Sequence, residues 1–271
     1  MAVGSWSADI VVRLRGWVKH WRTRMSALRK NLRCADGVCR NHDLIDMKRI
    51  TVLLAEDHPI VRVGFRALLA QERDIEVVGE AANGREAVQL TRKLRPAVVV
   101  VDIAMPLLNG LEATRQIRRD VPNTRVLILS AHSDDAYVEE AILLGAAGFF
   151  LKQTSSGNLA AAIREVHKGN TFFSDSISKR LHGRDQRSLL RGARFKQKAN
   201  RLSSREVEVL QLIAEGKPNK QVAAELGVSF KTVDKHRQHL MAKLDIHDVA
   251  GLTRYAIAEG IIESKVRVTI S

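Results

Sequence analysis

The pattern of hydrophobic and polar residues divides the chain into two main parts. Between residues 49 and 169, short apolar runs alternate with stretches in which apolar residues recur every three or four positions. Short apolar runs are typical of strands buried on both faces, and the longer spacing is typical of amphipathic helices. Five strand–helix pairs therefore predict an α/β doubly wound domain, with a five-stranded parallel sheet between two layers of helices.

Turn residues mark the limits of these elements. Pro96 stands just beyond the second predicted helix, and Gly145 and Gly169 follow the fourth and fifth, as expected of residues that end helices. The predicted strands cover residues 50–55, 75–81, 97–101, 125–129 and 148–151. The predicted helices cover residues 60–70, 84–94, 111–119, 135–144 and 156–168.

Beyond residue 200 the pattern is helical throughout. Ser203 stands three residues before Glu206, the spacing of a capping box, and opens a helix that extends to residue 214. Further helices are predicted over residues 219–226, 230–244 and 249–258. The two middle helices have helix-turn-helix proportions, which predicts a small all-α DNA-binding domain. A helical bundle with a solvated basic face is the alternative that the spacing leaves open.

Two basic segments flank these domains. We expect a leader over residues 1–46, an α/β domain over 47–170, a basic linker over 171–200 and the helical domain over 201–271. The leader pattern fits a marginal, basic amphipathic helix that could contact a membrane surface or a partner groove. Because Met47 stands just before the first strand, we favour translation from Met47. The other interpretation is a native leader that is disordered or forms the marginal amphipathic helix.

Composition and charge indicate the kind of partner and the cellular compartment to expect. The formal charge of +14 lies mainly in the leader and the linker, which favours a polyanionic partner. The two cysteines, Cys34 and Cys39, lie outside both predicted domains, so we expect no disulfide framework and a cytoplasmic protein. No apolar stretch of the sequence approaches the length of a bilayer span.

Polar residues stand at the ends of four predicted strands. They are Glu56 with Asp57, then Asp102, Ser130 and Lys152. The carboxyl ends of parallel strands share one crevice, so we expect these side chains to meet there. Carboxylates suit Mg²⁺, while a lysine and a hydroxyl suit phosphoryl oxygens. Taken alone, each aspartate could be a turn or helix cap and the lysine could be a solvated residue at the edge of the sheet. Because all of these residues stand at strand ends that meet, they predict a phosphoryl-transfer site, with Asp102 as a metal ligand or the nucleophile.

Polar residues also line the second helix of the predicted helix-turn-helix. Asn219, Lys220 and Gln221 open the helix before it, where backbone N–H groups and a lysine suit phosphate. The predicted DNA-facing side of residues 230–244 consists of Lys231, Thr232, Lys235, His236 and Gln238 or His239.

Both predicted domains contain several motifs that resemble those of a known protein family. The motifs of residues 49–170 are Glu56-Asp57-His58-Pro59, Asp102 with Met105-Pro106, Asn109-Gly110, Ser130-Ala131 and the segment 145–152. They resemble the flavodoxin-like receiver domain of two-component response regulators. The run that begins Leu202-Ser203-Ser204-Arg205-Glu206 and ends Lys243-Leu244 resembles a LuxR-type DNA-binding domain. Together they resemble the NarL/FixJ family over residues 49–262.

The resemblance implies roles for individual residues. Asp102 would accept a phosphoryl group from a histidine of a sensor kinase. Mg²⁺ would be held by Asp57, Asp102 and the backbone carbonyl of Ala104, with Glu56 beside them. Ser130 and Phe149 would form the switch pair, although the family often has tyrosine where Phe149 lacks the hydroxyl. Activated homodimers would bind double-stranded promoter DNA.

The sequence therefore predicts a phosphorylation-activated transcription regulator, without enzymatic activity beyond accepting and slowly losing its own phosphoryl group. A phosphorylation-independent DNA-binding regulator is the alternative. A flavin- or nucleotide-using enzyme would need a glycine-rich loop after strand one, where this chain has Glu-Asp-His-Pro. A haloacid-dehalogenase-type phosphatase would need an Asp-x-Asp motif at the first strand, and the sequence has none there.

Overall fold

The computed structural model describes residues 49–131, 135–152, 157–174, 177–178 and 202–262. The predicted leader helix, both cysteines and most of the predicted linker lie outside these residues. Among the described helices, none is both long and apolar enough to cross a membrane.

Within the described residues, six parallel strands form one sheet in the order β2-β1-β3-β4-β5-β6. The sheet confirms the predicted doubly wound architecture and adds one short edge strand. The strands are β1 (Ile50–Ala55), β2 (Ile75–Ala81), β3 (Val98–Asp102), β4 (Arg125–Ser130), β5 (Gly148–Leu151) and β6 (Phe172–Phe173).

The sixth strand corrects the prediction of five. Phe172 and Phe173 pair with Gly148 and Phe149 of β5, at positions that the sequence assigned to the linker. Ile177, also assigned to the linker, is buried in the α/β core. A strand of two residues is too short to show a period of two, so no pattern in the sequence could reveal it.

Among the described residues, the helices that cover the sheet are α1 (Pro59–Leu69), α2 (Gly84–Leu94), α3 (Gly110–Asp120), α4 (Asp135–Leu143) and α5 (Gly157–Lys168). Strand β3 explains why both faces are covered. Val99 and Val101 belong to one buried cluster, and Val98 and Val100 belong to the other. Successive side chains of a strand point to opposite faces, so an unbroken run of valines requires a helix layer on each side.

The helical domain consists of α6 (Ser204–Ala214), α7 (Asn219–Leu226), α8 (Phe230–Leu244) and α9 (Val249–Ala258). The predicted capping box is confirmed, because the Ser203 hydroxyl accepts from the Glu206 amide and the Glu206 carboxylate accepts from the Ser203 amide. The turn between α7 and α8 places Gly227 at a φ of 62°, in the left-handed region that glycine adopts without strain. Ser229 then caps α8.

Candidate functional site

The crevice at the carboxyl ends of the strands contains a buried group of charges. Asp102 ends β3, Glu56 follows β1 and Lys152 follows β5. The Lys152 Nζ lies 2.8 Å from Glu56 Oε2 and 2.9 Å from Asp102 Oδ2. Glu56 and Asp102 are only 1% and 3% exposed. The parallel topology thus brings these three predicted residues into direct contact.

The acidic site, formed by Glu56, Asp57 and Asp102, could hold a divalent cation. One potential ligand atom from each of these residues, and one from His58, all lie within 4.8 Å of one another. Three carboxylates at this spacing fit Mg²⁺, which prefers hard oxygen ligands. His58 was not among the predicted ligands, although it directly follows the acidic pair. Its Nδ1 lies 2.7 Å from Asp57 Oδ1.

Burial governs the electrostatics of these groups. Desolvation raises the pKa of Asp102 above its usual value, and the nearby Lys152 charge only partly opposes it. Desolvation and the charge of Asp102 likewise raise the pKa of Glu56. Burial alone would lower the pKa of Lys152, but the charges of Asp102 and Glu56 outweigh burial and raise it. Two carboxylates thus compete for one lysine, which favours an additional cation.

The predicted switch residues lie on β4 and β5, two neighbouring strands of the sheet. Ser130 ends β4 and is 3% exposed, and Phe149 in β5 is fully buried. Phe149 pairs with Ile128, and the Lys152 amide donates to the Ser130 carbonyl over 2.8 Å. The backbone therefore ties the two strand ends that carry Ser130 and Lys152.

The predicted DNA-facing side of α8 is only partly exposed. Lys231, Lys235 and His239 are exposed, whereas Thr232 and His236 are half-buried. The hydroxyl of Thr232 lies 2.8 Å from that of the capping residue Ser229, which accounts for its lower exposure. The predicted residues of this side therefore differ in exposure, and their contact with DNA stays a prediction.

The three predicted DNA-binding residues at the N-terminus of α7 also differ in exposure. Lys220 and Gln221 are exposed, whereas Asn219 is half-buried and accepts a hydrogen bond from Arg237 of α8 over 3.2 Å. Asn219 therefore helps to join the two helices, and Lys220 and Gln221 are free to meet a ligand from solvent.

Comparisons with known proteins agree with both domains. The chain matches the response regulator receiver domain over residues 52–164 and the luxR family of bacterial regulatory proteins over residues 200–256. The transcriptional regulatory protein MctR of Rhizobium johnstonii is 36% identical over 219 residues, which cover 81% of this chain and 98% of MctR. The chain belongs to the LuxR-family response regulators.

Two further relatives extend the comparison. The response regulator protein VraR of Staphylococcus aureus is 33% identical over 214 residues, which cover 79% of this chain and 99% of VraR. A structure of RcsB from Salmonella enterica serovar Typhimurium, bound to the promoter rprA in the presence of the phosphomimetic BeF₃⁻, has a TM-score of 0.50 and 28% identity. The match covers 76% of this chain and 98% of RcsB. Response regulators with a DNA-binding domain are typically regulators rather than enzymes.

Sequence reasoning missed the contact between the receiver and the DNA-binding domain. Gln211 of α6 is 1% exposed and donates from Nε2 to the carbonyl of Met105, which follows β3. Glu208 of α6 lies 3.2 Å from Arg85 of α2 and accepts from Gln116 of α3. These partners are far apart in the sequence and follow no periodic pattern, so only the folded chain reveals them.

Proposed function

We propose that this response regulator is a phosphorylation-activated transcription regulator. Asp102 accepts a phosphoryl group from a phosphohistidine of a sensor kinase, and the activated form binds double-stranded promoter DNA as a homodimer. The observation that supports this proposal best is the burial of Asp102 beside Lys152 and the acidic pair. A capping or purely structural aspartate would not need two further carboxylates and a lysine at its side.

In the proposed reaction, a carboxylate oxygen of Asp102 attacks the phosphorus atom. A P–O bond forms, the P–N bond to the kinase histidine breaks, and the imidazole leaves with the bonding electron pair. Lys152 is placed to neutralise a phosphoryl oxygen, because its Nζ already lies against Asp102. Glu56, Asp57, Asp102 and the Ala104 carbonyl would hold Mg²⁺. When bound, the ion would reduce the repulsion between the carboxylates and the phosphoryl group.

The same groups account for the switch that we propose. The Ser130 hydroxyl, at the end of β4, would donate to a phosphoryl oxygen on Asp102. Movement of Ser130 would open space toward the buried ring of Phe149, whose rotation requires no hydroxyl. Slow hydrolysis of the acyl phosphate by water would end the signal, which is the extent of the chemistry that the protein performs on itself.

Exposed cations carry the proposed DNA contacts. Lys220 and Lys231, at the starts of α7 and α8, would contact backbone phosphates. Lys235 and His236, one turn further along α8, would reach base edges in the major groove. Asn219, Gln221, Thr232 and His239 would complete the contact surface. The promoter-bound structure of the relative RcsB supports this use of the domain.

One observation favours a second candidate, phosphorylation-independent DNA binding. In the described chain, Lys231 and Lys235 of α8 are exposed. The contact face of α8 is therefore not covered by the receiver, so binding of DNA to this side would not require phosphorylation.

The first test is phosphorylation by acetyl phosphate in the presence of Mg²⁺, read by intact mass. We expect wild type to gain one phosphoryl group and Asp102→Asn to gain none. Asp245→Asn is the matched control, because Asp245 is exposed and its left-handed φ of 54° suits asparagine. The control should gain the same mass as wild type. A phosphoryl mass on the Asp102→Asn variant would refute the assignment of Asp102.

A further inference from the structure

The loop that follows the proposed phosphoacceptor is held in an unusual conformation. This β3–α3 loop, residues 103–109, contains Ala104, whose carbonyl is a proposed Mg²⁺ ligand. On the receiver side, the amides of Met105 and Gly110 donate to the carbonyl of Ile103 over 3.1 and 2.8 Å. Leu107 has a φ of +67°, which a leucine adopts only at a cost. Contacts elsewhere must therefore stabilise the loop.

Helix α6 of the DNA-binding domain supplies those contacts. Gln211 Nε2 donates to the Met105 carbonyl over 2.9 Å, and the Asn109 amide donates to Gln211 Oε1 over 2.8 Å. The Leu107 amide donates to Glu215 Oε1 over 3.0 Å. Gln211 Nε2 also donates to Glu215 Oε1 over 2.8 Å, so the two side chains support each other. We call Gln211 and Glu215 the Gln211 clamp.

The clamp differs from the contacts that Glu208 and Ser204 of α6 make with the receiver. Glu208 pairs with Arg85 and Gln116, and the Ser204 hydroxyl donates to Glu112. Those partners lie on α2 and α3, where hydrogen bonds within each helix already fix the backbone. The clamp instead bonds three backbone groups of the loop itself, and the Met105 carbonyl directly follows Ala104 in the chain. The side chain of Leu107 adds apolar contact with the core of the DNA-binding domain.

We propose that Gln211 and Glu215 are positioning residues for the metal site of the receiver, contributed by the DNA-binding domain. The clamp fixes the β3–α3 loop so that the Ala104 carbonyl stays in place for Mg²⁺. A ligand held in position loses less conformational freedom when the ion binds, so the clamp raises the affinity. By thermodynamic linkage, Mg²⁺ must then favour the docked position of α6 by the same factor. This inference rests on the proposed function, in particular on the acidic site as the Mg²⁺ site.

The test is a calorimetric titration of the full chain with Mg²⁺. Glu215→Ala removes the acceptor for the Leu107 amide at an exposed position, so it carries little risk to folding. Gln211→Glu keeps the size of the side chain but places a carboxylate oxygen against the Met105 carbonyl. For both variants we expect the Mg²⁺ dissociation constant to rise roughly fivefold or more. Hydrogen exchange of residues 103–110 would verify that the loop is released.

Two controls separate positioning from a general loss of structure. Glu215→Gln retains an acceptor oxygen and should bind Mg²⁺ like wild type. Gln238→Ala removes an exposed glutamine from α8, far from the loop in sequence and outside the clamp, and should also leave the affinity unchanged.

The outcomes distinguish this inference from the proposed function. If Glu215→Ala and Gln211→Glu release the loop but bind Mg²⁺ with wild-type affinity, the clamp only docks the two domains and the inference is overturned. Tighter binding by these variants would overturn it as well, because docking would then oppose the metal. Mg²⁺ binding by wild type that is lost in Asp57→Asn supports the acidic site independently of the clamp. No Mg²⁺ binding by wild type would overturn the metal site and this inference together.

Discussion

At the scale of single residues, the acidic site depends on one lysine. Lys152 Nζ bridges Glu56 and Asp102, both of which are buried and both of which have a raised pKa because of burial. The three groups form a triad whose charges are balanced only in part. Removal of the lysine leaves two buried carboxylates without the charge that bridges them, which costs more than the bridge itself contributes.

Lys152→Ala should therefore destabilise the protein by roughly 3 kcal/mol near neutral pH in the absence of Mg²⁺. Lys168→Ala is the matched control, because Lys168 is exposed and pairs with Glu165 within one helix. The control should cost no more than about 0.5 kcal/mol. Urea unfolding of the three proteins measures both differences. Equal losses for the two variants would contradict a buried, functional triad.

The pH dependence has a definite sign. Glu56 and Asp102 keep their protons to higher pH in the folded than in the unfolded chain, so the folded state binds more protons above the usual carboxyl range. Stability then falls as pH rises from the usual carboxyl pKa through the raised pKa values of the folded chain. The raised pKa of Lys152 acts in a different pH range. The contribution of Lys152 to folding stability is complete below the usual pKa of lysine and is lost only above that value. The Lys152→Ala penalty should accordingly shrink between about pH 7 and about pH 4.

At the scale of elements, α7 and α8 have different roles in the proposed DNA contact. Lys220 lies at the start of α7, where backbone N–H groups point toward a phosphate, and Lys235 lies in the second turn of α8. A lysine on a phosphate contributes equally on every sequence, whereas a lysine at a base edge contributes only on the right base.

Lys220→Ala should weaken binding to all DNA sequences alike and reduce the slope of affinity against salt concentration by about one. Lys235→Ala should instead change which bases are preferred. Fluorescence anisotropy with a panel of single-base operator variants at several salt concentrations measures both effects. Lys93→Ala on the receiver removes the same charge from an exposed position and should change neither. A base preference that is identical for wild type and Lys235→Ala would remove Lys235 from the readout.

Local patterns explain why most elements could be predicted. Strands β1, β2 and β5 and helices α2, α7, α8 and α9 begin and end as the sequence indicates, because apolar runs, caps and turn glycines are local signals. The acidic site was also predictable, since topology alone brings strand ends together. The clamp was not, because Gln211 and Asn109 are 102 residues apart and meet only when two independent domains dock. A buried glutamine on α6 resembles any polar residue of an amphipathic helix until its partner is known.

At the scale of the whole molecule, we propose that the docking of α6 and dimer formation are separate equilibria. Helix α6 faces the receiver, while Lys231, Lys235 and His239 of α8 remain exposed. The receiver thus leaves the proposed DNA-contacting side open. A single helix-turn-helix module contacts only one half-site, so a monomer should bind weakly even with that side exposed. Two modules joined through their receivers bind two half-sites with a large gain in effective concentration.

Phosphorylation should therefore raise operator affinity by raising the fraction of dimer. Sedimentation velocity should show a larger species after treatment with acetyl phosphate and Mg²⁺, and Asp102→Asn should remain as it is before treatment. On DNA with two half-sites about 10 base pairs apart, we expect the affinity of the phosphorylated form to rise by roughly a hundredfold, whereas a single half-site should show little change. The single half-site is the decisive control, because it separates dimer formation from a change within one DNA-binding domain. An equal gain on one and two half-sites, without a larger species, would show that phosphorylation acts inside the monomer instead.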